Sequence, residues 1–260
     1  MNKDVVRQTV NLAAVIVTLT INALSQALPF NNQTSAEIAN RFTDNYFLPA
    51  NYVFSIWGVI YIGLIAFGIF QALPSQRENS RLRRVGYWFL IGSIGNSAWL
   101  FLFHYELFAL STVAMVVLLV SLVVTYLRIR QGADSISTAE QLCVHVPFSV
   151  YLGWITVATV ANITYVLLDS RWDGFGVGYE VWGIVMIVVA ALIAGAFAFI
   201  NRDVIYAAVI VWSFAGILVR HVDVNAVAAA AGVMAVAVGA VAVVSFLTRQ
   251  SKNGLQHGRL

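Results

Sequence analysis

Residues 142–168 read LCVHVPFSVYLGWITVATVANITYVLL, an uncharged run that is long enough to cross a membrane. A spanning helix needs about 20 mostly apolar residues. Over all 260 residues, 60% are hydrophobic, only 10% are charged, and the mean hydropathy is +0.81. Soluble domains carry about 25% charged residues, and outer-membrane barrels alternate apolar with polar positions. The long apolar blocks exclude both classes and predict an all-α membrane protein.

Seven further apolar blocks accompany this run, so the sequence predicts eight transmembrane helices. Charged residues, proline or glycine separate the blocks, as is typical of helix ends. The predicted spans cover residues 10–29, 52–73, 85–103, 107–127, 142–168, 181–200, 204–219 and 224–247.

The distribution of arginine and lysine orients these spans, because short cytoplasmic loops collect positive residues. With eight spans, one side receives all but three of the 15 basic residues, and the other side holds Arg41, Arg171 and Arg220. This pattern predicts an integral, multi-pass protein of a bacterial plasma membrane with both termini in the cytoplasm. It also explains the basic pI of 9.1 without nucleic-acid binding, which we do not expect.

The N-terminal segment allows a second interpretation. Lys3, Arg7, an apolar stretch and the small residues of Ser25-Gln26-Ala27 loosely resemble a secretory signal with a cleavage site. Cleavage would leave seven spans with the same sidedness downstream.

The residues that ordinary catalysis requires are scarce in the predicted spans. Cys143 is the single cysteine, and the two lysines, Lys3 and Lys252, lie outside every apolar block. His145 stands alone near one span end, which favours a structural role. No nucleophile–base pair, metal cluster or phosphate loop is evident. We therefore predict no catalytic residues, no metal site, no required cofactor and no enzymatic activity.

Aromatic and amide side chains recur at helical spacing on spans two, three and five. Residues three, four or seven positions apart share one face of a helix. The resulting candidate ligand-binding residues are Trp57, Tyr61, Asn96, Trp99, Phe103, Tyr151, Trp154, Ala158 and Asn162.

These stripes lie at similar depth in the predicted topology. At 1.5 Å per residue most of their members fall roughly 6–21 Å below the outer surface. Aromatic faces with amides at one depth predict a pocket for a flat, mostly apolar ligand. Tryptophan is also enriched at membrane interfaces, and Asn96 and Asn162 could link helices by hydrogen bonds of about 0.6–2 kcal/mol. On spacing alone, pocket and packing remain open alternatives.

Three motifs at these residues resemble the tryptophan-rich sensory protein or translocator protein family, TspO/MBR. Residues 49–61, PANYVFSIWGVIY, are similar to the start of its second helix, and residues 96–103, NSAWLFLF, to its third-helix N-x-x-W-x-x-x-F signature. Residues 146–162, VPFSVYLGWITVATVAN, are similar to its fifth-helix run. The resemblance covers residues 10–168.

The resemblance implies a five-helix bundle, commonly dimeric, whose cavity binds porphyrins, other tetrapyrroles and, in some members, sterols. The segment that corresponds to the family's lid over the cavity is Tyr46, Phe47, Leu48 and Pro49. The motif positions associated with the cavity are Trp57, Asn96, Trp99, Trp154, Ala158 and Asn162.

This resemblance defines the expected domains. We predict a TspO-like core at 1–168, an external linker loop at 169–180, a three-helix C-terminal extension at 181–248 and a cytoplasmic tail at 249–260. The extension carries small-residue pairs, Ala228 with Gly232 and Ala235 with Gly239, which let helices approach closely in lipid. We expect them to pack against the core or to occupy its dimer face.

The favoured function is a membrane ligand-binding protein that senses or transports a tetrapyrrole-like molecule. The expected partners are the lipid bilayer, a small hydrophobic ligand (a porphyrin or haem-type molecule, or a lipid or sterol) and a second copy in a homodimer. One alternative is a small secondary transporter for another solute, although we find no internal repeat or mid-span break of the usual kind. The other is a porphyrin-degrading activity, in which the chemistry would belong to the ligand.

Overall fold

The computed structural model of this chain describes residues 2–132 and 135–257, with side chains described up to residue 248. Within those ranges there are eight long helices and no strand. The predicted tail, residues 249–260, lies outside the residues whose side chains are described. The long helices are α1 Lys3–Ala27, α2 Ile56–Ala72, α3 Trp88–His104, α4 Phe108–Ile129, α5 Val146–Asp169, α6 Tyr179–Asn201, α7 Val204–Arg220 and α8 Asn225–His257.

The all-α membrane fold class is confirmed. In the described part of the chain, six helical segments are long and apolar enough to cross a membrane. Helix α7 is a shorter apolar helix of 17 residues, and α3 has the same length. The count of eight spans therefore stays a prediction, although each predicted span coincides with one long helix.

Helix α1 begins seven residues before the predicted span. Its first two turns contain polar residues, so their hydropathy is too low to be recognised as part of an apolar block. The Asn2 side chain caps the helix by accepting from the Asp4 amide at 2.9 Å. Gln8 then donates through Nε2 to the Gln71 carbonyl at 2.7 Å, so a polar side chain is buried at the helix start. Hydrogen bonding to carbonyls at the end of α2, which the sequence does not show, stabilises these turns.

The chain divides into two compact units, and the division differs from the predicted domains. The first unit comprises residues 1–43 and 55–171, and the second comprises residues 44–54 and 172–260. Residues 44–54, which we placed in the core, therefore belong with the C-terminal helices. The predicted linker at 169–180 is also divided, since residues from Trp172 onward belong to the second unit.

The first unit is a closed ring of five helices. Going round the ring, α1 contacts α3, α3 contacts α4, α4 contacts α5, α5 contacts α2, and α2 returns to α1. Glycines permit two of these close approaches. A Cβ on Gly63 of α2 would lie 2.9 Å from Pro147 of α5, and one on Gly95 of α3 would lie 3.0 Å from the Leu118 backbone nitrogen of α4.

The second unit packs α6, α7 and α8 against one another. The predicted small-residue stripe of α8 faces α7: a Cβ on Gly232 would lie 2.9 Å from Leu218, and one on Gly239 would lie 3.8 Å from Val211. These two glycines thus contact α7, and packing of the stripe on the core or on a dimer face stays a prediction. Small residues allow this close backbone contact, and the unit also buries the larger side chains of Tyr206 and Phe214.

Candidate functional site

The stripes of α2, α3 and α5 meet in one aromatic cluster inside the first unit. Trp57, in the first turn of α2, is its centre. Its ring centroid lies 5.7 Å from that of Tyr61, 6.3 Å from Trp99, 6.2 Å from Tyr151 and 6.0 Å from Trp154. These separations are those of aromatic rings in contact.

The geometry within the cluster is of two kinds. The indole planes of Trp57 and Trp99 are within 24° of parallel, whereas Trp154 meets Trp57 edge-on at 81°. Trp99, Tyr151 and Trp154 are buried, and Trp57 is half-buried. Tyr61 is half-buried as well, so the two rings from α2 are less enclosed than the three from α3 and α5.

A chain of polar side chains runs beside these rings and joins three helices. The Tyr61 hydroxyl donates to Asn22 Oδ1 at 3.0 Å, and Asn22 Nδ2 donates to Asn96 Oδ1 at 2.7 Å. Asn96 is fully buried, and its side chain also adjoins the Tyr151 hydroxyl. The buried amides of Asn22 and Asn96 therefore link the cluster across helices.

Asn162 of α5 organises the neighbouring part of the cluster. Its Oδ1 accepts from Trp99 Nε1 at 2.9 Å, and its Nδ2 donates to Ser111 at 3.0 Å and also to Thr112 on α4. Phe103 stacks on Trp99 with centroids 5.4 Å apart. The side chain of Asn162 is 1% exposed and well bonded, so it positions the Trp99 indole.

The structure brings together most of the predicted ligand-binding residues. Trp57, Tyr61, Trp99, Tyr151 and Trp154 form the ring cluster. Phe103 and Asn162 extend the cluster, Asn96 lies on its polar side, and Ala158 stands half-buried on α5 between Trp154 and Asn162. Whether these residues bind a ligand stays a prediction.

The predicted lid, Tyr46–Pro49, lies in the second unit. Phe47 and Leu48 are buried there, with 0% and 1% exposure. The Leu48 carbonyl lies 3.1 Å from Nε2 of His221, and the Ala50 amide donates to the Gly216 carbonyl at 3.0 Å. We name residues 44–54 the strap.

A different part of the first loop covers the end of the five-helix unit. Phe30 stacks on Phe101 with centroids 4.5 Å apart, and Phe42 lies 5.4 Å from Phe108 and 5.2 Å from Tyr165. These contacts place residues 30–42 over the ends of α3, α4 and α5 nearest Trp99 and Phe103. The covering role that we assigned to Tyr46–Pro49 stays a prediction.

An ion pair links residues 30–42 to the turn between α3 and α4. Arg41 Nη2 lies 2.7 Å from Glu106 Oε1, and Gln33 donates to the same carboxylate at 3.2 Å. The hydrogen bond from Arg41 lowers the pKa of Glu106, with a smaller contribution from Gln33 against partial burial. The Glu106 carboxylate therefore stays ionised to a lower pH than a free glutamate does.

Sequence reasoning missed Asn22, which links Tyr61 to Asn96. The signal was present, because an asparagine within an apolar helix needs a polar partner in the membrane. Only the fold shows that the partner comes from α3. In the described ranges no group of three or more His, Cys, Asp or Glu residues is arranged to hold a metal ion.

Comparison with known proteins gives a family-level finding. A family model described as TSPO-like protein matches residues 8–244. No curated protein and no solved structure matches the chain. The matched region takes in α6, α7 and most of α8, so these helices are part of what the family model describes and not an addition to it.

Proposed function

Because the chain belongs to the TSPO-like protein family, we propose that its five-helix unit binds a flat, mostly apolar, tetrapyrrole-like molecule at the cluster around Trp57. The chain is a TspO-type membrane protein, and the proposal concerns its ligand. The observation that supports it is the pair of nearly parallel indoles, Trp57 and Trp99, next to the buried amides of Asn96 and Asn162.

The cluster offers the two kinds of contact that such a ligand needs. Indole and phenol faces supply contact area for a flat ring system, and an amide donor fixes its orientation. Asn96 lies on the polar side of the rings, where its amide can donate to an acceptor on the ligand.

Access requires Trp57 to move, because its ring contacts the four others. Trp57 is half-buried and lies in the first turn of α2, after the 3₁₀ turn Asn51–Ser55. We propose that the Trp57 indole shifts on binding and then stacks on the bound ligand. Sensing and transport would both begin with ligand binding at the cluster. Binding involves no bond cleavage.

The first test is titration of the purified chain with protoporphyrin, followed by quenching of tryptophan fluorescence. We expect saturable quenching that weakens about tenfold or more in Trp57→Leu, as for a central aromatic contact. Trp212→Leu is the matched control, because Trp212 is a partly exposed tryptophan of the second unit. Equal affinities for the two variants would contradict the proposal.

The second test separates orientation from packing. Asn96→Leu removes the amide beside the rings and also the Oδ1 that accepts from Asn22, so we expect weaker porphyrin binding together with a lower melting temperature. Asn11→Leu is the control, since Asn11 is also buried on a transmembrane helix but bonds the Gly86 carbonyl at 3.1 Å. If Asn96→Leu destabilises the protein and leaves porphyrin affinity unchanged, Asn96 serves packing alone.

A further inference from the structure

An open apolar groove of about 460 Å³ runs along the face formed jointly by α1 and α3. Its walls include Val10, Ala13 and Ile21 from α1, and Ile94 and Phe101 from α3. From residue 10 to residue 21 the groove extends along about 17 Å of helix. Half of the hydrocarbon core of a bilayer is about 15 Å thick, so the groove matches the depth of one leaflet.

Arg7 stands at one end of this groove, on the same face of α1. Positions 7, 10, 14, 17 and 21 are separated by three and four residues, which places them in one row on the helix. Arg7 is only 6% exposed. Its Nη2 donates to the Arg77 carbonyl at 2.9 Å, whereas its Nε and Nη1 are buried without a hydrogen-bond partner among the described residues.

The acid next to Arg7 is already engaged. Asp4 accepts from Arg83 Nε at 2.9 Å and from Arg83 Nη2 at 2.6 Å, whereas Arg7 Nη2 lies 3.7 Å from Asp4. A buried guanidinium is costly unless it is paired and hydrogen-bonded. Arg7 therefore lacks a full counter-ion.

The whole surrounding segment is positively charged. In residues 1–9 and 76–87 there are two acids, Asp4 and Glu78. The basic residues of the same segments are Lys3, Arg7, Arg77, Arg81, Arg83 and Arg84. Phosphate is the anion that guanidinium groups match best, through paired N–H donors.

We propose that Arg7 and the adjoining arginines bind the phosphate of an anionic phospholipid, one acyl chain of which lies in the α1–α3 groove. This site is separate from the aromatic cluster and does not depend on the function proposed for it. The phosphate of the lipid supplies the negative charge that Arg7 lacks. Its acyl chain covers the apolar wall of the groove.

A second copy of the chain is a poorer occupant of the same groove. A dimer with its two-fold axis along the membrane normal brings the same patch of both copies together. It would add a second set of arginines at the charged end, where a negative charge is missing. The groove thus favours a lipid over a homodimer contact.

The experiment is native mass spectrometry of the full chain, delipidated in detergent and titrated with phosphatidylglycerol, phosphatidylcholine or glycerol phosphate. We expect one phosphatidylglycerol to bind about tenfold more tightly than phosphatidylcholine, the size of one charge-assisted hydrogen bond. Glycerol phosphate should not compete at the same concentration. Equal binding of the two lipids, or full competition by glycerol phosphate, would overturn the proposal.

Two variants test the two ends of the groove separately. Arg7→Gln should remove the preference for phosphatidylglycerol, while Arg202→Gln, with the same loss of charge in the second unit, should keep it. Ala13→Phe, which fills the groove, should lower the occupancy of both lipids about tenfold. Ala23→Phe is its control, because Ala23 is also exposed on α1 but does not line the groove.

The variants have outcomes that would refute the site. Unchanged lipid binding in Arg7→Gln and Ala13→Phe would overturn it. A doubled mass in the wild-type protein that reverts to the single mass in Ala13→Phe would assign the groove to a dimer and overturn the lipid assignment. Ala13 is exposed, so its variant should fold even where Arg7→Gln does not.

Discussion

The two units of this molecule pack their helices with different kinds of side chain. The first unit buries amides that bond from one helix to another, such as Asn22 to Asn96 and Trp99 to Asn162. In the second unit, buried Ser213 and Ser245 bond to carbonyls of their own helices. There, small residues such as Ala194 bring the backbones together.

The contrast shows where a polar interior serves more than packing. In the second unit, small residues and the buried rings of Tyr206 and Phe214 join the helices. The first unit adds buried amides, with Asn22 bonded to Asn96 and Asn162 bonded to Trp99. Burying polar side chains in lipid costs more free energy than burying apolar ones, and the proposed ligand site would account for this cost.

The largest effect expected is on the ring cluster. Trp99→Ala removes ring contacts with Trp57 and Phe103 and leaves Asn162 Oδ1 without its indole donor, so it should destabilise the protein by about 3–5 kcal/mol. Trp212→Ala in the second unit should cost less than half as much, because Trp212 is 40% exposed. Denaturant unfolding in mixed micelles measures both, and equal losses would erase the contrast between the units.

The next effect concerns close contact in the second unit. A Cβ at Gly216 would clash with Val53 Cγ2 and lie 3.1 Å from Pro49 Cβ, so Gly216→Ala should cost about 1–3 kcal/mol by overpacking. Gly195 has no neighbour within 4 Å at its Cβ position, and Gly195→Ala should stabilise by up to about 1 kcal/mol. Limited proteolysis of the strap and the melting temperature test this pair.

A smaller effect is the pH dependence of the strap. Burial, with a further contribution from Arg220, lowers the pKa of His221, whose Nε2 lies 3.1 Å from the Leu48 carbonyl. A histidine that is neutral when folded takes up a proton on unfolding below its ordinary pKa of about 6.5. Stability should therefore fall with pH below about 6.5, by at most about 1.4 kcal/mol per pH unit.

Hydrogen exchange of residues 44–54 at pH 5.0 and 7.5 would measure this loss. His221→Gln retains a side-chain donor but cannot titrate, so its exchange should be the same at both values once intrinsic rates are corrected. A strap that loosens equally in wild type and in His221→Gln would place the titrating group elsewhere.

The smallest effect is at the ion pair of the first unit. Arg41 and Glu106 are 49% and 38% exposed, so Glu106→Gln should cost about 0.2–1 kcal/mol. Because the pKa of Glu106 is lowered in the folded protein, this stabilisation is present at neutral pH and is lost as pH falls through that lowered value. Melting curves with and without 0.5 M NaCl should converge in the variant and differ in wild type.

Local periodicity was sufficient to predict the helices and the rings that meet. Each apolar block became a helix, and the spacing of Trp57 and Tyr61, or of Tyr151 and Trp154, fixed which side chains share a face, since that depends only on the helix repeat. The residues at which helices begin and end were predicted less well. They depend on side chains that bond to distant segments, as Gln8 does to the end of α2.

Long-range pairing could not be read from the sequence. The strap reads as part of the first loop, yet its partners Gly216 and His221 come from α7. Asn22 was overlooked because its value lies in a contact with Asn96, 74 residues away. No residue spacing encodes such a contact.

The strap has a consequence for how the protein is made. Leu48 and His221 are 173 residues apart, so at roughly 5–20 residues per second the ribosome adds the second about 9–35 s after the first. During that interval Phe47, Leu48 and Val53 have emerged without the helices that bury them. A chain shortened at residue 171 would keep all five helices of the ring and would leave these three apolar side chains permanently uncovered.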